Sequence, residues 1–343
     1  MLDLSAVDKP LVSVIVLNWN GKRFLYNCLS SLLNQNFDSY EVLFVDNNSS
    51  DDGVAFVKNH FGKNSRLRII VLPENFGFSK GNNIGLTYAR GDYVIFLNND
   101  TKVNCNFVAE LVSEAKKDPK IGCVGCKILS LTGKTWFSQR FTNGGFLVPF
   151  FLQTLVEQRI ESLSNCCRTN LANSGCAVLY KRCVLEKIGC FEEDYVSNFE
   201  DWDLGYRLNL AGFRSVYIPL PLVVHVGAGS EGTTPERRVK CYRNMLLTYF
   251  KNYELKNLVI RFPIVSFVLL PLWHSSWFLQ RSILGLPDFD RKRVGDYFLS
   301  LFRAYYQFLW YLKKFAIKRY SVQGLRKVAD RNIFDKTKNT SLV

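Results

Sequence analysis

Four short, nearly continuous apolar runs in the first third of the chain limit its fold more than any other feature. They are rich in Val, Ile, Leu and Phe, and each ends in polar residues, as strands buried in a parallel sheet do. Between the first two runs, apolar residues recur on one helical face, which predicts alternating strands and helices in an open, mostly parallel α/β sheet. The predicted strands are Leu11–Leu17, Glu41–Val45, Leu67–Leu72 and Tyr93–Leu97.

Polar clusters follow three of these predicted strands. They are Asn18-Trp19-Asn20-Gly21, Asp46-Asn47-Asn48-Ser49-Ser50 and Asn98-Asn99-Asp100-Thr101. Ligands of open α/β sheets bind beyond the carboxyl ends of the strands, so the three clusters predict one shared cleft. The alternative is that Asn, Asp and Gly only form turns there, which would suffice for a single cluster.

Basic charge is concentrated in the last third of the chain. Residues 236–343 hold 21 Lys and Arg against 7 Asp and Glu, and the remaining 23 basic and 23 acidic residues balance in residues 1–235. The net charge of +14 therefore lies entirely in the C-terminal part, where it predicts contact with an anionic surface, either phospholipid or nucleic acid. No nucleic-acid-binding motif accompanies it, and no nucleic acid partner is expected.

The C-terminal region, residues 236–343, reads as helical and membrane-associating. Residues 262–280 contain no Asp, Glu, Lys or Arg, but Pro263, Pro271 and His274 weaken a membrane-spanning interpretation. Residues 297–320 mix aromatic residues with Lys and Arg, which is typical of an interfacial amphipathic helix. The alternative is a soluble helical cap over the preceding domain.

The ten cysteines predict a reducing compartment rather than a disulfide framework. They are scattered, several fall inside apolar runs, and residues 1–10 form an extension without the apolar segment of a signal peptide. Together with the basic C-terminal region, this predicts a location at the cytoplasmic face of the cell membrane.

Several short motifs occur in a fixed order between residues 11 and 227, with a weaker one at Arg243-Asn244. They are Val14-Ile15-Val16-Leu17-Asn18-Trp19-Asn20-Gly21, Val45-Asp46-Asn47-Asn48-Ser49, Glu74-Asn75-Phe76-Gly77-Phe78 with Gly81-Asn82-Asn83, Gly91-Asp92-Tyr93, Leu97-Asn98-Asn99-Asp100-Thr101, Glu200-Asp201-Trp202-Asp203 and His225. In this order they resemble family-2 glycosyltransferases, in particular the rhamnosyltransferase-like branch of bacterial surface-polysaccharide enzymes. The resemblance implies a GT-A nucleotide-diphospho-sugar transferase fold over residues 11–235, with a nucleotide-sugar-binding half (11–130) and an acceptor-binding half (131–235).

The resemblance also implies a divalent metal, Mg²⁺ or Mn²⁺, which neutralises the donor's diphosphate. Asp100 occupies the last position of the family's Asp-x-Asp metal motif, whereas the first position is the amide Asn98. His225 lies where the family places a metal-binding His and would compensate for the missing carboxylate. The alternatives are an Asx turn at Asp100 and a structural role for His225.

Donor-binding residues are likewise implied by the family pattern. Asp46 matches the carboxylate that hydrogen-bonds the nucleotide base, and a plain N-cap role is its alternative. The Gly/Asn-rich loop around Lys80 precedes a helix whose N-terminus suits a diphosphate. The full set of predicted substrate-binding residues is Asn18, Asn20, Asp46, Asn48, Asn75, Gly77, Lys80, Asn83, Asn98, Asn99, Glu200 and Trp202.

By the same resemblance, Asp201 is the general base that takes a proton from the acceptor hydroxyl. Glu200 would help to hold the acceptor, and Trp202 would offer an aromatic face to a sugar. The alternative is that the acidic residues only complement the dipole of a helix N-terminus.

We therefore expect an inverting glycosyltransferase that acts on a glycan or a polyprenyl-linked glycan acceptor in polysaccharide biosynthesis. The branch often uses dTDP-L-rhamnose, and UDP-sugars are common in the wider family. Specificity is expected in the segment 132–168. The alternatives are a nucleotidyltransferase, which shares a similar sheet, and a catalytically silent membrane scaffold, which Asn98 in place of a carboxylate favours. No Gly-x-Gly-x-x-Gly motif opens a helix after the first predicted strand, as it would in a dinucleotide-binding protein, and the sequence contains no P-loop motif.

Overall fold

The computed structural model describes residues 9–131, 168–226, 234–269 and 294–338, together with residues 139–140, 142–143, 146–147 and 271. The first elements are β1 (Val12–Asn18), α1 (Lys22–Leu33), β2 (Tyr40–Asp46), α2 (Gly53–Phe61), β3 (Leu67–Val71), α3 (Gly77–Tyr88), β4 (Tyr93–Asn98), β5 (Thr101–Val103), α4 (Phe107–Lys116) and β6 (Ile121–Ser130). The four predicted strands are thus confirmed as β1 to β4.

The remaining elements alternate short strands with helices and end in a helical region. They are β7 (Gln139–Arg140), β8 (Thr142–Asn143), β9 (Phe146–Leu147), β10 (Arg168–Asn170), β11 (Ala172–Asn173), β12 (Ala177–Lys181), α5 (Arg182–Ile188), a 3₁₀ turn (Glu193–Tyr195), α6 (Glu200–Leu210), β13 (Arg214–His225), α7 (Pro235–Asn252), α8 (Leu255–Ile264), a π-helical turn (Val265–Leu269), α9 (Val294–Gly324) and α10 (Asp330–Lys338). The predicted specificity segment 132–168 falls largely outside the described residues.

The main sheet has the strand order β10-β13-β6-β12-β4-β1-β2-β3, with β5 paired to β13. The strands β3, β2, β1 and β4 are parallel, as predicted. The rest of the sheet is not mostly parallel, because β12 runs antiparallel to both β4 and β6, and β10 and β5 run antiparallel to β13. The expectation of a mostly parallel sheet is therefore corrected to a mixed sheet.

Alternating side chains of the central strands feed two apolar cores, one on each face of the sheet. Val14 and Val16 pack with α1, α2 and α4 on one face. Ile15 lies between them in sequence and packs with residues of α3, α5 and α6 on the other face. Both faces of β1 are therefore covered, as expected for a strand with no exposed side.

The C-terminal helices share a third core with α6. Trp202, Tyr206 and Leu210 of α6 pack with Leu246 of α7 and Phe315 of α9. The predicted boundary at residue 236 falls near the start of α7, and α7 and α9 lie against the preceding part of the chain. The predicted helical character of this region is confirmed in α7 and α9, and the helix predicted at residues 297–320 lies within α9.

No helix in the described part of the chain has the length and apolar composition needed to cross a bilayer. Most of the uncharged stretch 262–280 lies outside the described residues. The predicted membrane association of the C-terminal region stays a prediction.

Candidate active site

The predicted convergence of three polar clusters occurs at the side chain of Asn18, the last residue of β1. Its Nδ2 donates to Asp46 Oδ1 at 2.9 Å and to Ser49 Oγ at 3.1 Å. Its Oδ1 accepts from Asn99 Nδ2 at 2.6 Å. The strand register explains the convergence, because parallel pairing sets Asn18 beside Asp46 on one side and brings the end of β4 alongside β1 on the other.

Gly21 allows this approach of Asn99 to Asn18. A Cβ atom added at Gly21 would lie 2.1 Å from Asn99 Nδ2 and 2.7 Å from Asn18 Oδ1. Any side chain here would displace the two amides. The glycine that immediately precedes α1 is therefore part of the site rather than only a turn residue.

Asp46 is buried, and its carboxylate is held by the protein on both oxygens. Oδ1 accepts from Asn18, and Oδ2 accepts the main-chain N–H of Ser49 at 2.9 Å. Asn20 and Asn48, on the loops beside it, adopt positive φ angles of 49° and 61°. Asn20 also accepts the N–H of Ser50 at 2.8 Å, so the first two loops are fixed to each other. Base recognition by this group stays a prediction.

Asn47 is a structural residue of the site that the sequence-based residue set omits. Its Nδ2 donates to Asn75 Oδ1 at 2.8 Å and to the carbonyl of Gly77 at 3.2 Å. Its Oδ1 accepts the N–H of Phe76 at 2.9 Å. The Asn47 amide therefore fixes the loop that leads into α3. Its position directly after Asp46, at the end of a predicted strand, could have identified Asn47 from the sequence.

The first turn of α3 is largely occupied by protein contacts. Gly77, at φ 75°, donates its N–H to Asn75, and Ser79 donates its N–H to the carbonyl of Val196 at 3.0 Å. The ammonium of Lys80 lies 4.1 Å from the centre of the Phe76 ring. Two of the N–H groups expected to meet a diphosphate are thus already bonded.

Asn83 bridges α3 to the segment before α6. Its Nδ2 donates to the carbonyl of Phe191 at 2.9 Å and to Glu193 Oε1 at 3.1 Å, and its Oδ1 accepts the N–H of Phe191. These bonds give Asn83 a structural role, because they use both ends of its amide. Substrate binding by Asn83 stays a prediction.

Asp100 and His225 form a close pair at the end of the sheet. His225 Nε2 lies 3.0 Å from Asp100 Oδ1, and both side chains are buried. Antiparallel pairing of β13 with β5 sets His225 beside Thr101. Burial by itself lowers the pKa of His225, but the Cys176 side chain and Asp100 favour the charged imidazole and raise its pKa to about 10.

This pair fits a divalent cation. Two ligand atoms about 2.1 Å from one octahedral ion and at right angles to each other are roughly 3.0 Å apart, which matches the observed separation. The ion would take the place of the proton between the two groups. Among the described residues, no cluster of three or more His, Cys, Asp or Glu could hold a metal, so the diphosphate would have to supply further ligands.

Asp201 lies in the first turn of α6 and is oriented by two main-chain groups. Oδ1 accepts the N–H of Trp202 at 2.8 Å, and Oδ2 accepts the N–H of Gly175 at 3.3 Å. Cys176, the next residue, contacts His225 and accepts the N–H of Asn98 at 2.8 Å through its carbonyl. Contacts therefore run without a break from Asp201 through residues 175 and 176 to the Asp100–His225 pair and to β4.

The two neighbours of Asp201 differ in their surroundings. Trp202 is only 4% exposed, packs in the helical core and stacks on Phe199 with ring centres 5.9 Å apart. Its packing gives it a structural role, and little of the ring is open to a sugar. Glu200 is also buried, with its carboxylate close to Gly175.

The chain before α6 has an uncommon backbone conformation that α7 supports. Val196, Asn198 and Phe199 have φ angles of 63°, 68° and 68°. The amide of Asn244 donates to the carbonyls of Tyr195, Ser197 and Asn198 at 3.1, 3.0 and 2.8 Å. Left-handed conformations of such residues cost free energy, so the buried Asn244 offsets that cost next to the predicted base.

A buried ionic network joins α6 to the C-terminal helices. Lys251 of α7 contacts Glu192 at 2.8 Å and Asp203 at 3.0 Å, and Arg207 contacts Asp203 at 2.9 Å. Lys318 of α9 also pairs with Glu192. Burial raises the pKa of the Asp203 carboxyl, but Lys251 and Arg207 outweigh it, so the net shift is downward.

Comparison with known proteins gives the family to which this architecture is similar. The sequence model described as glycosyl transferase family 2 matches residues 13–189, about half of the chain. O-antigen biosynthesis protein RfbC of Myxococcus xanthus is 29% identical over 232 residues, which are 63% of this chain and 17% of that protein. Poly-beta-1,6-N-acetyl-D-glucosamine synthase of Staphylococcus aureus is 23% identical over 268 residues, 76% of this chain and 61% of that protein.

Among solved structures, the mannosyltransferase PcManGT from Pyrobaculum calidifontis, in complex with GDP-Man and Mn²⁺, superposes with a TM-score of 0.55. Sequence identity is 19%, and the match covers 89% of this chain and 88% of that one. The α/β fold of the chain is therefore GT-A-like. The first two curated relatives are much longer proteins, of which this chain spans 27% and 17%.

Proposed function

The chain belongs to glycosyl transferase family 2, and we propose that it transfers a sugar from a nucleotide diphosphate to an acceptor hydroxyl, with inversion, in polysaccharide biosynthesis. The observation that carries the proposal is the continuous set of contacts from Asp46 through Asn18 and Asn99 to the Asp100–His225 pair and on to Asp201. A carboxylate–imidazole pair that can hold a cation at the donor end, and a buried carboxylate at the other end, are what such a transfer needs.

In this proposal Asp201 takes the proton of the acceptor hydroxyl as that oxygen attacks the anomeric carbon. The N–H groups of Trp202 and Gly175 hold the carboxylate in one orientation, which is a prerequisite for a positioned base. In this proposal Glu200, whose carboxylate lies close to the same glycine, contacts the acceptor. The nucleotide diphosphate leaves from the opposite face of the sugar.

Asp100 and His225 would hold Mg²⁺ or Mn²⁺ in this proposal. When bound, the ion neutralises the charge that develops on the leaving diphosphate. PcManGT, with GDP-Man and Mn²⁺ bound, supports a nucleotide sugar and a divalent ion as the donor and the cofactor. Asp46 and the Asn18–Asn99 pair lie at the strand ends where the nucleotide would bind, and dTDP-L-rhamnose and UDP-sugars are the donors proposed first.

A glycan, or a glycan carried on a polyprenyl lipid, is the proposed acceptor. One relative is named for O-antigen biosynthesis and the other for synthesis of poly-beta-1,6-N-acetyl-D-glucosamine, and both names support a glycan as the acceptor class. The matched region covers only 17% of RfbC, so the proposal names the chemical class of the acceptor and no particular glycan.

The test is a panel of nucleotide sugars, incubated with the purified chain and Mn²⁺, in which release of the nucleoside diphosphate is measured. We expect release from one donor or a few related donors, lost on chelation of the metal. No release from any donor, with or without oligosaccharide acceptors, would contradict the proposal. Release of pyrophosphate from a nucleoside triphosphate would instead identify a nucleotidyltransferase.

A catalytically silent scaffold is the second candidate, and one observation favours it. The first carboxylate of the metal motif is replaced by Asn98, and the described residues contain only the Asp100–His225 pair in its place. A scaffold would support polysaccharide synthesis in cells equally well with Asp201→Asn. Loss of synthesis in that variant would exclude the scaffold.

A further inference from the structure

Helix α9 exposes a continuous stripe of large apolar side chains. Phe302, Trp310 and Tyr320 are 71%, 77% and 85% exposed. With 3.6 residues per turn, these positions fall on one side of the helix, within a sector about 100° wide. The members of this apolar stripe are Phe302, Tyr306, Leu309, Trp310, Ile317 and Tyr320.

The opposite side of α9 is fixed to the body of the protein. Ala304, Phe308 and Phe315 are buried there, and Phe315 stacks on Tyr195 with ring centres 5.9 Å apart. Lys314 pairs with Asp194 at 2.6 Å. The stripe therefore belongs to a well-packed helix and does not result from a loose end.

The π-helical turn after α8 extends the same surface. Phe267 is 73% exposed and stacks on Tyr305 of α9 with ring centres 6.3 Å apart. The hydroxyl of Tyr305 also donates to the carbonyl of Ser266. An exposed aromatic ring from a second element thus lies beside the stripe, and the apolar surface is wider than one helix.

Basic side chains in and beside the stripe indicate that its partner is a lipid surface rather than a protein. Lys313 lies within the stripe and Arg303 at its edge, both exposed. Lysine is depleted from the centres of protein–protein interfaces, whereas on a lipid surface its stem lies along the acyl chains and its ammonium reaches the head groups. The exposed Trp and Tyr rings have the same preference for the boundary between apolar and polar phases.

We propose that the apolar stripe of α9, together with Phe267, docks on an anionic lipid surface and lies in the plane of its head-group boundary. Exposed apolar area and local basic charge are the two attachment signals that stable peripheral binding requires. The excess of 14 positive charges in residues 236–343 suits the cytoplasmic leaflet, whose surface is negative. This inference does not depend on the proposed transferase activity.

Docking in this way would hold the site in a fixed orientation to the membrane. Lys318, on the side of α9 away from the stripe, pairs with Glu192 and with Asp194 at 2.7 Å. Glu192 is joined through Lys251 to Asp203, two residues after the predicted base. The lipid-facing helix and the acceptor end of the site are therefore parts of one rigid unit.

The experiment is co-sedimentation of the full chain with vesicles of phosphatidylcholine mixed with phosphatidylglycerol, and with vesicles of phosphatidylcholine alone. We expect binding to the anionic vesicles that weakens with added salt. The double variant Trp310→Asp/Ile317→Asp should lower the partition coefficient about tenfold or more, because each change removes apolar area and adds negative charge. Lys313→Gln/Arg303→Gln should reduce the preference for anionic lipid.

The matched control is Val71→Asp/Tyr88→Asp, two exposed apolar residues on β3 and α3, which should leave vesicle binding unchanged. Circular dichroism establishes that each variant is folded. Equal binding by the stripe variant and the control would overturn the proposal, as would wild-type chain that stays in the supernatant. A dimer of the wild type that the stripe variant dissociates, without an effect on vesicles, would also overturn it and assign the stripe to self-association. Donor turnover, measured without vesicles, separates any failure here from failure of the proposed function.

Discussion

The ammonium of Lys251 on α7 lies 3.0 Å from the carboxylate of Asp203 on α6, and both side chains are almost completely buried. Glu192 approaches the same ammonium at 2.8 Å, and Asn252 Nδ2 donates to Asp203 Oδ1 at 2.8 Å. This pairing joins α6, whose first turn holds the predicted base, to the C-terminal helices. We therefore expect α6 and the C-terminal helices to stabilise each other.

Lys251→Met should lower the free energy of unfolding by about 3–5 kcal/mol, because it leaves two buried carboxylates without their shared cation. The measurement is urea unfolding followed by circular dichroism. Lys314→Met is the matched control, because Lys314 pairs with Asp194 at the surface, where a pair contributes about 0–1 kcal/mol. Equal losses in the two variants would contradict a buried network.

The buried network also predicts how stability depends on pH. Burial raises the pKa of Glu192, but Lys251 and Lys318 outweigh it and lower its pKa to about 2. A carboxyl with a lowered pKa in the folded state stabilises the protein above its unfolded pKa of about 4.5, and this stabilisation is lost as the pH falls towards about 2. The contribution is roughly 3 kcal/mol.

Unfolding free energies of wild type and Glu192→Gln, measured from neutral pH down to the acid limit of folding, check this expectation. The wild type should lose stability more steeply than the variant below about pH 4.5. Parallel curves would mean that Glu192 does not titrate as its surroundings indicate.

Asn244→Ala should reduce both stability and turnover, since three main-chain carbonyls before α6 would lose their donor. A buried group left without its partner costs about 1–3 kcal/mol. Asn34→Ala is the control, because that exposed amide makes its hydrogen bond to Ser30 at the end of α1, away from the site. A positioning role predicts that kcat falls while the KM for the donor changes little. If turnover per folded molecule equals that of wild type, Asn244 contributes to stability alone and has no positioning role.

The strand ends of the site could be predicted because their determinants are local. The apolar runs define β1, β2 and β4, and parallel pairing then brings Asn18, Asp46 and Asn99 together without further information. The contact of Asp100 with His225 follows from a resemblance between motifs, since 125 residues separate the two along the chain. From the sequence pattern without the resemblance, His225 would have been interpreted as a structural histidine.

Other parts of the site could not be predicted from local pattern. Lys251 follows Phe250 in a helix and reads as a solvated lysine, because its partners Glu192 and Asp203 lie 59 and 48 residues away. Trp202 suggested a sugar-binding surface, but α7 and α9 cover its side of α6 with apolar residues and bury the ring.

The strand β12 was not predicted from the sequence either. Its antiparallel position between β4 and β6 depends on pairing, and five residues carry no sign of direction.

His225→Ala should raise the Mn²⁺ concentration needed for half-maximal donor turnover by about 10- to 100-fold, a range typical of weakened metal sites. Asp100→Asn should have an effect in the same direction, because both variants remove one member of a pair 3.0 Å apart. His60→Ala is the control: His60 is exposed on α2 and stacks on Phe56. Unchanged Mn²⁺ dependence in the His225 variant would assign the histidine to the protein structure alone.

Asp201→Asn should reduce turnover by about 10²–10⁴-fold, the contribution of a positioned general base, while donor binding persists. An amide has a single acceptor oxygen, so one of the two N–H groups that meet the carboxylate would lose its partner, and a modest fall in Tm should accompany the loss of activity. Asp52→Asn is the control, because it makes the same change of charge at a residue with no proposed catalytic role. That residue is exposed, and its φ of 55° suits asparagine equally well, so neither stability nor turnover should change. If Asp201→Asn retains wild-type turnover with a saturating donor, the base lies elsewhere, and the contacts through Gly175 are structural.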